Sequence, residues 1–162
     1  MDTTIPIGVL SKLSGLQELS MDVNIDGDWW DSDVKVILNE LSSLKSLSIL
    51  ELYLPSAELL QQLRWDSTKL MYPNFYKFRF TVGHHRQRII SHLPPEVKEI
   101  LKEQKKLKKC LKYISGEGTP IEINEALKHA TLFFLDCHWT VKMLSEFENE
   151  NMVNLQFCLL ME

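Results

Sequence analysis

A 31-residue self-repeat constrains this chain more than any other feature. Leu10, Leu13, Leu16, Leu19 and Met21 recur as Leu41, Leu44, Leu47, Leu50 and Leu52, every apolar position matching across one step (41 − 10 = 31). The first copy, LSKLSGLQELSMDVN, carries Leu16-x-x-Leu19-x-Met21-x-x-Asn24, and the second reads LSSLKSLSILEL. Within each copy, leucines spaced by three give way to leucines spaced by two, so a helical or 3₁₀ turn leads into a strand. Such a unit has one apolar side and too little mass to bury it. It becomes stable only when neighbouring units stack into a shared core.

The number of units follows from reading the chain forward. Ile5 to Gly15 is a short helical or 3₁₀ segment with Leu10 and Leu13 toward a core, followed by a strand over Gln17 to Val23. Ile25 to Asp33 (IDGDWWDSD) reads as an acidic loop, with Trp29 and Trp30 covering the edge of the helix that follows. Val34, Ile37, Leu38, Leu41 and Leu44 give that helix its apolar stripe, and Asp31 or Asp33 is placed to cap it. Ser48 to Leu54 is the second strand, closed by Pro55, and Ser56 caps a short helix through Leu63. Phe75 to Phe80 keeps the strand spacing with phenylalanine in place of leucine.

Beyond it, Gly83 to Cys110 reads as an inserted basic loop, HHRQRIISHL with Pro94-Pro95, and an amphipathic helix. Lys109 to Ser115 is a fourth strand, and Gly116 and Gly118 turn the chain. Thr119-Pro-Ile-Glu122 has the form of a capping box with proline at the first helical position, starting a helix to about Lys128. Leu132-x-x-Leu135-x-Cys137 is a fifth strand with Cys137 facing the core, Val141 to Phe147 is helix-like, and Met152-x-x-Leu155-x-Phe157 is a sixth strand. Leu19, Leu50, Phe78, Leu111, Leu135 and Leu155 are then equivalent, at steps of 31, 28, 33, 24 and 20 residues. The expected fold is α/β: a leucine-rich repeat solenoid of five to six irregular repeats over 1–162, with a parallel concave sheet and helices or turns on the convex side.

In a strand, residues between the core positions face the other way. That places Glu18, Ser20, Asp22, Glu51, Tyr53, Lys77, Arg79, Thr81, Lys112, Asp136, His138 and Gln156 on the concave face as the expected partner-binding set. Tyr53 and Arg79 are of the residue types enriched as interface anchors. The formal net charge of −4 is distributed as −4 over 1–82, +6 over 83–114 and −6 over 115–162. The basic block includes Lys98, Lys102, Lys105, Lys106, Lys108, Lys109 and Lys112, so a basic-helix adaptor binding nucleic acid or anionic membrane through 98–112 is the alternative to protein recognition. Interleaved Glu96, Glu99 and Glu103 favour a solvated helix face instead.

The segments IPIGVLSKLSGLQELSM, LSSLKSLSILEL, LKYISGEGTPIEINEALKHATLFFLD and MLSEFENENMVNLQFCLL together resemble the leucine-rich repeat region of plant intracellular nucleotide-binding disease-resistance proteins of the coiled-coil class. The resemblance implies a protein-recognition module in the cytoplasm. Its expected partner is a pathogen effector, a guarded host protein or the receptor's own nucleotide-binding domain, and the chain is expected to be a fragment or truncated paralogue of a larger receptor. The sequence has no G-x-x-x-x-G-K-[ST] phosphate loop, so nucleotide binding is not carried over and no cofactor is expected.

Catalysis is not expected either. His84, His85, His92, His129 and His138 form no H-E-x-x-H or i, i+4 pair, and Cys137 and His138, adjacent on a strand, point to opposite faces. No G-x-S-x-G elbow occurs. Three widely spaced cysteines, Cys110, Cys137 and Cys158, read as reduced, partly buried thiols. The longest apolar runs fall far short of the roughly 18 residues that span a bilayer.

Overall fold

A computed structural model describes residues 5–21, 28–63, 75–83, 95–96, 99, 102, 109–114, 116–136, 140–141 and 143–161, with backbone alone at 28–32. Six strands, β1 (Glu18–Ser20), β2 (Ile49–Leu54), β3 (Lys77–Val82), β4 (Lys109–Ile114), β5 (Leu132–Asp136) and β6 (Phe157–Met161), hydrogen-bond in sequence order. Every neighbouring pair is parallel. Parallel neighbours require a crossover after every strand. Here the described crossovers are helix α1 (Asp28–Leu41), helix α2 (Ile121–Leu127) and 3₁₀ turns at Ala57–Leu63, Leu144–Phe147 and Asn149–Met152, with a further turn at Leu10–Lys12 before β1.

The crossovers form a second layer in which neighbours touch. Helix α1 packs against the turns Leu10–Lys12 and Ala57–Leu63, and α2 packs against Ala57–Leu63 and Asn149–Met152. Between the layers lies a continuous core. Leu52, Phe80, Leu111 and Phe133 stand in one register row across β2 to β5, each 3% exposed or less, and Cys158 of β6 extends the row at its half-buried margin. Ile37, Leu41, Leu60, Leu63, Ile123, Leu127 and Phe147 meet them from the crossover side. Phe78 stacks on Phe80 with ring centroids 4.6 Å apart, and Phe133 meets Phe147 edge-on at 5.3 Å, so aromatics fill the volume that leucines occupy in β2.

The α/β class and the parallel sheet match the sequence expectation, while several boundaries differ. Helix α1 begins at Asp28, so Trp29 and Trp30 lie in the helix and not in a loop, and Asp31 and Asp33 are helical, not caps. The Val34, Ile37, Leu38 and Leu41 stripe anchors the helix. Pro120, not Thr119, stands at the N-cap of α2, and its carbonyl accepts from the N–H groups of Ile123 and Asn124 with no side-chain cap. The expected helices over Ser56 to Leu63 and Val141 to Phe147 are 3₁₀ turns. Leu13 is 43% exposed, leaving Leu10 to enter the core alone from that turn.

The largest difference is register. Phe78 pairs with Lys109 and Phe80 with Leu111, so Leu111 belongs with Leu52 and not with Leu50. Leu135 belongs with Leu54, Val82 and Tyr113. In β6 the core side holds Cys158 and Leu160, and Phe157, expected inward, lies on the opposite face. The N–H groups of Gln156 and Phe157 both bond to the carbonyl of Thr131, as those of Ser48 and Ile49 bond to Gln17 ahead of β2, so the core phase of β6 is Leu155-x-x-Cys158-x-Leu160 and not Met152-x-x-Leu155-x-Phe157.

A two-part open face

The sheet face turned away from the crossovers is read from the register. One row runs Ser20, Glu51, Arg79, Cys110, Leu132, Phe157, and the next runs Tyr53, Thr81, Lys112, Phe134, Leu159. Flanking rows carry Glu18, Ile49 and Lys77 at one end and Ile114, Asp136 and Met161 at the other. The first row runs from Ser20 and Glu51 to Leu132 and Phe157, and the second from Thr81 and Lys112 to Phe134 and Leu159, so both pass from polar to apolar.

On β1 to β3 the face is wet and charged. Glu51 is its hub: one carboxylate oxygen accepts from the Ser20 hydroxyl at 3.1 Å, and the other lies 3.7 Å from Lys77 Nζ and 3.6 Å from Arg79 Nε. These side chains remain 28% to 42% exposed, so water screens the ion pairs and each adds little to stability. Their consequence is local order, with two cations held over one carboxylate on neighbouring strands. Lys112, across from Thr81, extends the basic character to β4 and has no ion pair among the described residues.

On β4 and β5 the same face, Lys112 apart, is buried. Cys110, Ile114, Leu132 and Phe134 form a second apolar cluster, none more than 7% exposed, with Phe157, Leu159 and Met161 of β6 packed at its side. The burial pushes the Cys110 thiol up in pKa, against the smaller opposing pull of Lys112 and Arg79. Cys110 is therefore an inert thiol at neutral pH despite two cationic neighbours. Cys158, half-buried on the core side, is likewise raised by burial, and both thiols are free.

This division sorts the twelve expected interface residues. The fold brings Glu18, Ser20, Glu51, Lys77, Arg79, Thr81 and Lys112 together on the accessible part. Tyr53, expected as an exposed anchor, is 7% exposed, and Asp136 is 4% exposed between Ile114 and Met161. Neither offers itself to a partner. Gln156 is exposed but precedes β6 and shares the parity of Cys158, away from the open face. Asp22 and His138 lie outside the described residues, as does Cys137. The expected return to acidic charge at the C-terminal end is replaced by an apolar strip.

That strip had a sequence signal. LFFLD and FCLLM are runs of consecutive apolar residues, not alternating ones, and a strand apolar at successive positions is buried on both faces. Of the lysines assigned to a basic helix over 98–112, Lys109 and Lys112 belong to β4, and Lys102 bonds to Glu99 at 2.8 Å. Lys98, Lys105, Lys106 and Lys108 lie outside the described residues.

Family models, curated proteins and solved structures give no match. Among the described residues no three His, Cys, Asp or Glu side chains are grouped to hold a metal ion, and no helix is long and apolar enough to cross a membrane. Of the five histidines only His129 is described. It is half-buried, and burial, followed by the nearby Lys109, lowers its pKa.

Proposed function

We propose that this chain is a leucine-rich repeat recognition module of a plant intracellular nucleotide-binding immune receptor. In this reading it works in the cytoplasm, without catalysis, and contacts a pathogen effector, a guarded host protein or the receptor's own switch domain. The observation that carries the proposal is the pairing of six parallel strands in sequence order, with the described crossover elements packed against one another and on one shared core. Such stacking leaves the other face of the sheet as an extended surface, which repeat proteins use for recognition. The Leu-x-x-Leu-x-Leu spacing of the first two units supports the same reading. Binding is assigned to the charged part on β1 to β3 with Lys112 of β4, because β5 and all of β4 but Lys109 and Lys112 are buried.

Affinity capture from leaf extract, quantified by mass spectrometry, tests the assignment. The double charge reversal Lys77→Glu with Arg79→Glu is expected to lower capture of specific partners at least about tenfold, equivalent to roughly 1.4 kcal/mol. Lys35→Glu, on the exposed side of α1, serves as the control and leaves capture unchanged. Circular dichroism melts confirm that both variants fold. Equal capture by the double variant and the parent chain would remove the open face from the function.

A further inference from the structure

We infer that the accessible strip selects an acidic segment of its partner protein, and that Glu51 is a built-in competitor for the cations that read it. The inference rests on the open-face reading above and supplies the chemistry of the partner. Lys77, Arg79 and Lys112 stand on two adjacent strands, about 4.8 Å apart, with Glu51 as the single carboxylate paired to Lys77 and Arg79 among the described residues. With Glu18, exposed on β1 of the same face, these five described charged side chains carry a net charge of +1.

The existing ion pairs are replaceable. At 3.6 and 3.7 Å they are longer than a charge-assisted hydrogen bond of roughly 2.7–2.9 Å, and they are open to water. Arg79 meets Glu51 through Nε, leaving the outer nitrogens of its planar fork suited to a second carboxylate. Its neighbour on the other side, Cys110, begins the buried apolar strip, and that low-polarity wall strengthens a new ion pair formed beside it. A partner carboxylate that displaces Glu51 thus exchanges a long, screened contact for a shorter one.

The same features disfavour nucleic acid. A phosphate backbone needs a track of cations and gains from exposed aromatic rings. Here the carboxylates of Glu18 and Glu51 sit within the strip, and its one aromatic residue among the described residues, Tyr53, is buried. Spaced carboxylates on a flexible segment can avoid Glu51, whereas a continuous phosphate chain cannot.

Fluorescence anisotropy on the full chain, with labelled hexaglutamate, hexalysine and an oligothymidylate as probes, tests the inference. Hexaglutamate is expected to bind best, more weakly at about 150 mM salt than at about 20 mM. E51Q is expected to tighten hexaglutamate binding several-fold, because it removes the competitor and keeps the side-chain size. R79E and K112E are expected to weaken it at least tenfold, and R79Q replaces R79E if the reversal unfolds the chain. A preference for hexalysine or for the oligothymidylate overturns the inference, as does hexaglutamate binding that E51Q and the Arg79 variants leave unchanged. Partner capture that depends on Lys77 and Arg79 without any preference for hexaglutamate retains the open-face reading and overturns only the acidic partner. Capture indifferent to both residues overturns the two together.

Discussion

At the scale of single residues, the most demanding position is Gly83. It ends β3 with φ at +115°, its N–H bonds to the carbonyl of Leu54 at 2.9 Å, and a Cβ built there would stand 1.9 Å from the carbonyl oxygen of Ile114. Conformation and space thus forbid a side chain, since both the left-handed backbone and the close approach of β4 require its absence. Gly83→Ala is expected to lower stability by about 2 kcal/mol or more, read as the urea midpoint at unchanged slope. Gly15, where a Cβ meets nothing within 4 Å, supplies the comparison, and Gly15→Ala is expected to be nearly neutral. The sequence placed Gly83 at the start of the inserted loop. The carbonyl of Ile114, 31 residues further on, was not legible there, because the contact depends on the pairing of β3 with β4.

Among elements, the crossovers hold the array together through a few polar ties as well as the shared core. The Glu40 carboxylate, near the end of α1, accepts the backbone N–H groups of Gly8 and Ser11 and so fastens the turn Leu10–Lys12 to the helix 29 to 32 residues later. Hydrogen bonds to a charged acceptor are worth more than neutral ones, while the partial exposure here reduces that worth. Glu40→Ala is therefore expected to cost about 1 kcal/mol and to raise amide exchange at Gly8 and Ser11 more than in β2 or β3. Uniform exchange across the sheet would show that the turn is held by Leu10 alone. A second tie, Gln61 Nε2 to Glu122 at 2.7 Å, links the crossovers before β3 and β5. No local pattern announces either bond, since partners 29 to 61 residues apart meet only after stacking.

For the whole molecule, the sheet edge matters most. Strand β6 pairs with β5 alone among the described strands, and its sequence, FCLLM, has no charge or proline to discourage another strand from joining it. Leu160 is 53% exposed and the other four residues are half-buried. The chain in isolation is expected to associate through this edge, and Leu160→Lys is expected to shift light scattering toward the monomer without lowering the melting temperature. A parent chain that is monodisperse at high concentration would count against an adhesive edge.

The sequence by itself determined the unit and its direction. Leucines spaced by three and then two dictated a turn followed by a strand, and a unit apolar on one side had to stack, so the parallel sheet and the exposed polar residues of β1 to β3 were legible in Glu18, Ser20, Glu51, Lys77 and Arg79. The tertiary structure decided the register and therefore the faces. The phase Leu155-x-x-Cys158-x-Leu160 puts Phe157, Leu159 and Met161 on the open side, and the pairing of Lys109 with Phe78 sets Leu111 two residues further along. Side chains alternate with a period of two, so a one-residue change reverses both faces of a strand, while apolar residues at every position of FCLLM leave no local preference between them. Pairing with the neighbouring strand makes that choice, and it left the C-terminal end of the open face apolar and largely buried.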